Sequence, residues 1–408
     1  MRLAHLADLH LGFRAYHRLV GGGDGTGTPR YNAREHDVAT AFRTALDVVI
    51  EEDVDLVLVA GDIFHTVRPS NAAIAAAFRQ FARLNAALPD VPVVIVAGNH
   101  DSPRAVETGS ILALLQEIPN VHVVDREARV LEFPQLDTAV MCLPHSALAG
   151  GGLGSIDPTT DARTQILMMH ATVRGEEVDR LLGYVSEFGG AQIDIADIRV
   201  ERWDYVALGH YHIATQLAPN MWYAGSLERT STNIWIETSP KGFVTWDSER
   251  RECAFHTVPS RPISDLPRFS AWLANENRYM DPTEVDRAIR DRVESLKGGI
   301  DGRIVRLIMD DVPRDLFRDL DHRRLRDYRA RALHFHLDAR RPARRPQDPS
   351  QPSVPPRPLD EEAVDFLSEV WQPTSGDIER TRLVELARHY LELAGNDPDE
   401  PLIEAQSD

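Results

Sequence analysis

"VPVVIVAGNHD", residues 91–101, is an apolar, largely β-branched run that breaks at Gly98 into Asn99, His100 and Asp101. Valine and isoleucine without polar alternation describe a strand covered on both faces, the signature of a parallel sheet. Glycine permits a sharp turn where the strand stops, so an amide, an imidazole and a carboxylate arrive together at its end. The layout recurs. "RLAHLADLH" (2–10) ends on Asp8 and His10, "VDLVLVAGD" (54–62) on Asp62, "QILMMH" (165–170) on His170 and "DYVALGHYH" (204–212) on His210 and His212. Helical patterns near 34–52, 70–88 and 104–118 separate the early runs and predict a βαβαβ start, hence an α/β fold around a parallel sheet. "TAVMCLP" (138–144), "MWYAGS" (221–226) and "GFVTWD" (242–247) read as further strands.

Apolar strands that end in polar residues on one sheet edge converge those residues in the crevice where α/β proteins bind ligands. Singly, each motif has a plainer reading: Asp-x-His is a common strand end, and Asn-His-Asp is ordinary turn chemistry. Together they form a set of carboxylate, imidazole and amide donors without thiolate, suited to Mn²⁺, Fe²⁺ or Zn²⁺. Asp8, His10, Asp62, Asn99, His170, His210 and His212 are too many for one ion. They suffice for two if Asp62 bridges, and two ions about 3.5–4 Å apart can activate a water for in-line phosphoryl displacement.

Composition sets the surroundings. The chain has 408 residues, 43% hydrophobic and 26% charged, which suits a large globular core with smaller units beside it. Its apolar stretches fall well short of the roughly 20 residues of a spanning helix, so no membrane partner is expected and a cytoplasmic protein is. Cys142 and Cys253 lie far apart, without the spacing of a disulfide framework or thiolate zinc site. A formal net charge of −18 disfavours unspecific attraction to polyphosphate, so any nucleic-acid contact is local or metal-mediated. The stretch "GGGDGTGTP" (21–29) has neither a GxGxxG pattern nor a Walker lysine and reads as a flexible loop.

Four segments follow: a core over 1–260, a small α+β unit over 261–341, a proline-rich linker over 342–358 and a helical tail over 359–408. Tail residues Val364, Leu367, Val370 and Trp371, then Leu383, Leu386, Tyr390 and Leu393, recur at helical spacing. Such helices need a partner or the body of the protein. Arginines crowd residues 322–345, with Arg323, Arg324, Arg326 and Arg329 candidates for a DNA backbone. A solvated face paired with nearby acids is the plainer reading. Of the remaining histidines, His17 and His145 come nearest to a site role; His5, His36, His122, His256, His334, His336 and His389 read as structural or surface residues.

"DLH", "GDIF", "GNHD", "MMH" and "GHYH" together resemble the five signatures of the calcineurin-like metallophosphoesterases. "IFHTVRPS", "MWYAGSLERTS" and "KGF" resemble the SbcD-type branch, bacterial relatives of the meiotic recombination eleven nuclease. The glycine-rich loop departs from that branch. The resemblance implies a two-sheet α/β/β/α sandwich flanked by helices, with the α+β unit as a capping domain. It implies Asp8, His10, Asp62 and His212 on one metal, and Asp62, Asn99, His170 and His210 on the other. It also implies His100 as proton donor, with Asp101 orienting its ring, and His65 as a second catalytic histidine. A Mn²⁺-dependent DNA exo/endonuclease is expected, working in double-strand-break repair as a homodimer, with the tail on an SbcC-type coiled-coil ATPase. The alternatives are a phosphoesterase for small molecules or phosphoproteins, and a non-catalytic DNA-end or ATPase-binding scaffold.

Overall fold

The computed structural model describes residues 1–21, 30–103, 109–150, 156–183, 189–342, 364–370 and 380–396. The glycine-rich residues 22–29, the proline-rich linker from 343 onward and Trp371 lie outside them. In chain order, β1 (Arg2–Leu6), α1 (Ala33–Glu51), β2 (Leu56–Ala60), α2 (Asn71–Ala87), β3 (Val93–Val96) and β4 (Val121–Val124) open a sandwich. β5 (Arg129–Phe133), β6 (Thr138–Leu143), β7 (Thr164–His170), β8 (Tyr205–Gly209), β9 (Thr215–Ala218) and β10 (Met221–Tyr223) form its second layer. β11 (Lys241–Asp247) and β12 (Glu252–Val258) then return to the first. Among the described residues one sheet runs β12–β11–β1–β2–β3–β4 and the other β9–β10–β8–β7–β6–β5. β1 to β4 are parallel, as are β6, β7, β8 and β10.

Alternation along each strand builds the layers. Ala4, Leu6, Val57 and Val59 pack against Val38 and Phe42 of α1 and Phe81 of α2. Their neighbours Leu3, Leu56 and Leu58 point the other way, against Val140, Ile166, Met168 and Ala207 of the second sheet. The strands therefore read as unbroken apolar runs, because both faces are covered. An imidazole also sits in that inner layer. His5 is fully buried, its Nδ1 3.0 Å from the Tyr205 hydroxyl, and burial lowers its pKa to about 3, so the ring is held neutral.

The region after 260 carries β13 (Ile263–Ser270), α3 (Pro282–Glu294), β14 (Ile304–Asp310), α4 (His322–Arg331) and β15 (His334–Ala339). An intervening helix lets each successive strand lie parallel to the last, in the order β13–β14–β15. α3 starts with a capping box, Asp281 accepting from the Glu284 N–H and Glu284 from the Asp281 N–H, worth about 1 kcal/mol. Met1–Arg341 forms one compact unit and Pro342–Asp408 a second. In the latter, Phe366–Val370 is a π-helical segment and α5 spans Arg380–Asn396. No helix among the described residues is long and apolar enough to cross a membrane.

One expected helix differs. The pattern at 104–118 becomes a 3₁₀ helix at Ile111–Glu117, with 104–108 outside the described residues. Its buried residues Leu112 and Leu115 are three apart, the spacing that 3₁₀ geometry stacks directly.

Candidate metal centre

Polar side chains from five strand ends meet beyond β1, β2, β3, β7 and β8. Past the strands, bonds from Asp8 N to Gly61 O (3.0 Å) and from His10 N to Asp62 O (2.9 Å) keep the two loops in register. Asp8, His10 and Asp62 adopt left-handed backbone with φ of 51°, 48° and 52°, which turns their side chains off the sheet and into the crevice. Two glycines allow the close approach. A Cβ on Gly98 would overlap an Asp62 carboxylate oxygen, and one on Gly209 would overlap the Ala60 carbonyl oxygen across the sandwich.

Asp62 is central. Its Oδ2 lies 3.7 Å from His10 Nε2 and 3.4 Å from His170 Nε2, while Oδ1 accepts from His100 N at 2.9 Å. His10 Nε2 faces His212 Nε2 at 2.9 Å. Asn99 Oδ1 stands 3.0 Å from His170 Nε2 and 3.3 Å from His210 Nδ1. Asp8 accepts from His210 N at 3.1 Å. Ligating atoms of Asp8, His10 and His212 fall within 4.8 Å of one another, as do those of Asp8, Asp62 and His170. All seven sequence-predicted ligands thus come together.

The electrostatics suit cations. Burial lowers His10 and His210 to about 3 and His212 well below its usual value, leaving three neutral rings whose lone pairs are available. Burial raises Asp8 to about 7. Burial also opposes the charges on Asp62 and His170, yet their mutual attraction prevails: Asp62 stays ionised and His170 rises to about 9. The His170 proton there balances charge that a divalent ion would otherwise balance.

The donor set fits such ions. His170 Nδ1 donates to the Ala60 carbonyl at 2.8 Å, which commits that nitrogen and leaves Nε2 for the crevice. His210 Nε2 is buried without a hydrogen-bond partner, while its Nδ1 faces the cluster. Nitrogen and oxygen donors without sulfur match Mn²⁺, Fe²⁺ or Zn²⁺.

His100 and His65 stand beside the cluster. Their rings stack with centroids 5.4 Å apart, and His65 Nδ1 is 3.3 Å from His10 Nδ1. Burial lowers the His65 pKa. The orienting role expected of Asp101 is corrected. His100 Nδ1 donates to the His65 carbonyl at 2.7 Å, whereas Asp101 accepts from the backbone of Ile63, Phe64 and Gly98 at 3.0, 3.0 and 3.1 Å. Asp101 therefore stitches two ligand-bearing loops; the carboxylate follows a turn that aims it beneath the loops.

Arg323, Arg324, Arg326 and Arg329 lie on α4, a different element from those that deliver the cluster. Arg323, Arg326 and Arg329 are exposed, and Arg324 is 3.7 Å from Asp321. Buried Thr230 and Lys241, which touch His212, had no signal in spacing because their contacts span 18 and 29 residues.

Residues 1–214 match the family model described as Calcineurin-like phosphoesterase. The chain is 28% identical over 240 residues to "DNA double-strand break repair protein Mre11" of Thermoplasma acidophilum, covering 56% of this chain and 57% of that protein. The protein of the same name from Sulfolobus acidocaldarius is 27% identical over 217 residues, covering 52% and 50%. That from Methanocaldococcus jannaschii is 34% identical over 117 residues, covering 29% and 28%. The chain thus spans about half the length of the first two relatives and less of the third.

Proposed function

The chain belongs to the calcineurin-like phosphoesterase family, and from that premise we propose that it is a metal-dependent DNA nuclease subunit of break repair. The observation that carries this reading is Asp62, a buried carboxylate with ligand histidines on either side, His10 and His170. Asp8, His10, Asp62 and His212 would hold one divalent ion, and Asp62, Asn99, His170 and His210 the other, with Mn²⁺ favoured. Such a pair, when bound, neutralises phosphate charge and supplies a nucleophilic water.

The chain's own residues do the rest. His100, with Nδ1 committed to the His65 carbonyl, presents Nε2 as the atom that hands a proton to the leaving oxygen. His65, stacked on it, offers a ring N–H to a phosphate oxygen. DNA as substrate is supported by the names of the relatives and by the exposed arginines of α4, which can follow a backbone locally despite the acidic total.

A coiled-coil ATPase of SbcC type is the partner assigned to the tail, where Leu386 and Tyr390 of α5 are exposed. A homodimer belongs to the same proposal, on the resemblance to the nuclease branch alone. With Mn²⁺, the full chain is expected to cleave linear duplex DNA in preference to a cyclic nucleotide or a phosphopeptide. Cleavage of only the latter two would make it a phosphoesterase of another substrate class, and no cleavage by the manganese-loaded protein would favour a scaffold. Deleting residues 359–408 should preserve hydrolysis and abolish ATPase association in a pull-down; retained association would refute the tail assignment.

A further inference from the structure

Two stretches that resembled the nuclease branch, "MWYAGSLERTS" and "KGF", supply no ligand to the cluster, yet both carry residues that touch a ligand. Thr230 Oγ1 lies 3.3 Å from His212 Nδ1. The His212 carbonyl accepts from Lys241 Nζ at 2.7 Å and from Ser226 N at 3.1 Å. Lys241 spends its other two protons on Ser226 Oγ at 3.0 Å and on Glu237, with which it forms a close ion pair. Glu237 also accepts from the Ser231 hydroxyl. Thr230, Ser226, Glu237 and Lys241 are all buried. An ammonium and a carboxylate taken out of water are a weak source of stability, since desolvation offsets most of their attraction. The group instead meets one residue twice, Lys241 at the His212 carbonyl and Thr230 at its ring.

We propose that Thr230 and the Lys241–Glu237 pair are positioning residues for His212, setting the ring and tautomer with which it holds a divalent ion. This rests on the metal reading above. A ring that offers Nε2 toward His10 carries its proton on Nδ1, and Thr230 Oγ1 stands where that proton is donated. Lys241 fixes the main chain from which the ring projects. The brace also continues outward. Arg229 donates to the Glu237 and Arg261 carbonyls, Glu228 accepts from the backbone of Arg229 and Arg261, and Asp37 of α1 binds both Arg34 and Arg261. His212 is thereby tied to the chain just before β13.

The test is calorimetric titration of Mn²⁺ into the metal-free full chain and its Thr230→Val, Thr230→Ser and Glu237→Gln/Lys241→Met variants, with a thermal melt of each metal-free protein. Thr230→Val keeps the shape and removes the acceptor; the double variant removes both buried charges together. One of the two Mn²⁺ dissociation constants should rise about 10–100-fold in Thr230→Val, the loss seen when an outer partner of a metal-bound histidine is removed. Thr230→Ser should restore it, the double variant should weaken the same site, and the metal-free melting temperature of Thr230→Val should match wild type. Unchanged binding in Thr230→Val and the double variant would overturn the proposal. Equal weakening of both sites together with a lowered metal-free melting temperature would also overturn it, by showing a purely structural role. A wild-type chain that binds no Mn²⁺ would overturn the metal reading itself and the proposal with it.

Discussion

Asp8, His10 and Asp62 hold positive φ, and His210 has φ of 111°. Non-glycine residues in such conformations cost about 1–3 kcal/mol each and persist only where surrounding bonds hold them. Here the Asp101 carboxylate and the paired loops do so for the first three, and Asp8, accepting from His210 N, for the fourth. At the same scale, His100 stands outside both ligand sets while its ring packs 4.9 Å from that of His10. His100→Ala should therefore keep two Mn²⁺ by metal analysis and lose about 10²–10⁴-fold in kcat on DNA, the usual contribution of a positioned general acid. Full turnover in that variant would remove the acid assignment.

At the scale of elements, the site depends on two strands from different sheets coming very close. Gly209, closing β8, faces the Ala60 carbonyl at the end of β2. Gly209→Ala should push β8 away from β2, lowering stability by about 1–3 kcal/mol and weakening Mn²⁺ binding through His210 and His212. Urea melts and metal titration check this; a variant that binds as wild type would show that the layers can yield. The residues of the cluster were legible because each follows an apolar run, and covering both faces makes such runs conspicuous. β5 and β12 were not, being edge strands with polar residues such as Arg129, Glu132 and His256 among the apolar ones. Asp101 was located but misassigned, because spacing places a carboxylate at a turn without showing which N–H groups it meets. The grip on His212 was invisible for a related reason: Thr230 and Lys241 reach it only through tertiary packing.

At the scale of the whole molecule, the inner layer between the sheets is largely apolar among the described residues and holds the His5–Tyr205 contact. His5 has a folded pKa of about 3, below its ordinary value near 6.5, so below pH 6.5 the unfolded chain binds a proton that the folded chain refuses. Its influence on stability is constant above pH 6.5 and turns against the fold as pH falls toward 3, by an amount on the order of 4 kcal/mol. His5→Leu should lower stability at neutral pH, through loss of the Tyr205 partner, and flatten the decline between pH 6.5 and 4 in urea melts of the metal-free protein. An equally steep decline would assign the acid sensitivity elsewhere.

The strand ends draw on both sheets, from Asp8 near the start of the chain to His212 past its midpoint. On a ribosome adding about 5–20 residues per second, His212 emerges on the order of 10–40 seconds after Asp8. A nascent chain therefore exposes Asp8 and His10 long before their counterparts exist, and no complete cage can form until the second sheet has been made and docked. On the proposed metal reading, ion loading is then a late maturation step, and an interrupted translation product would lack half of the donor set.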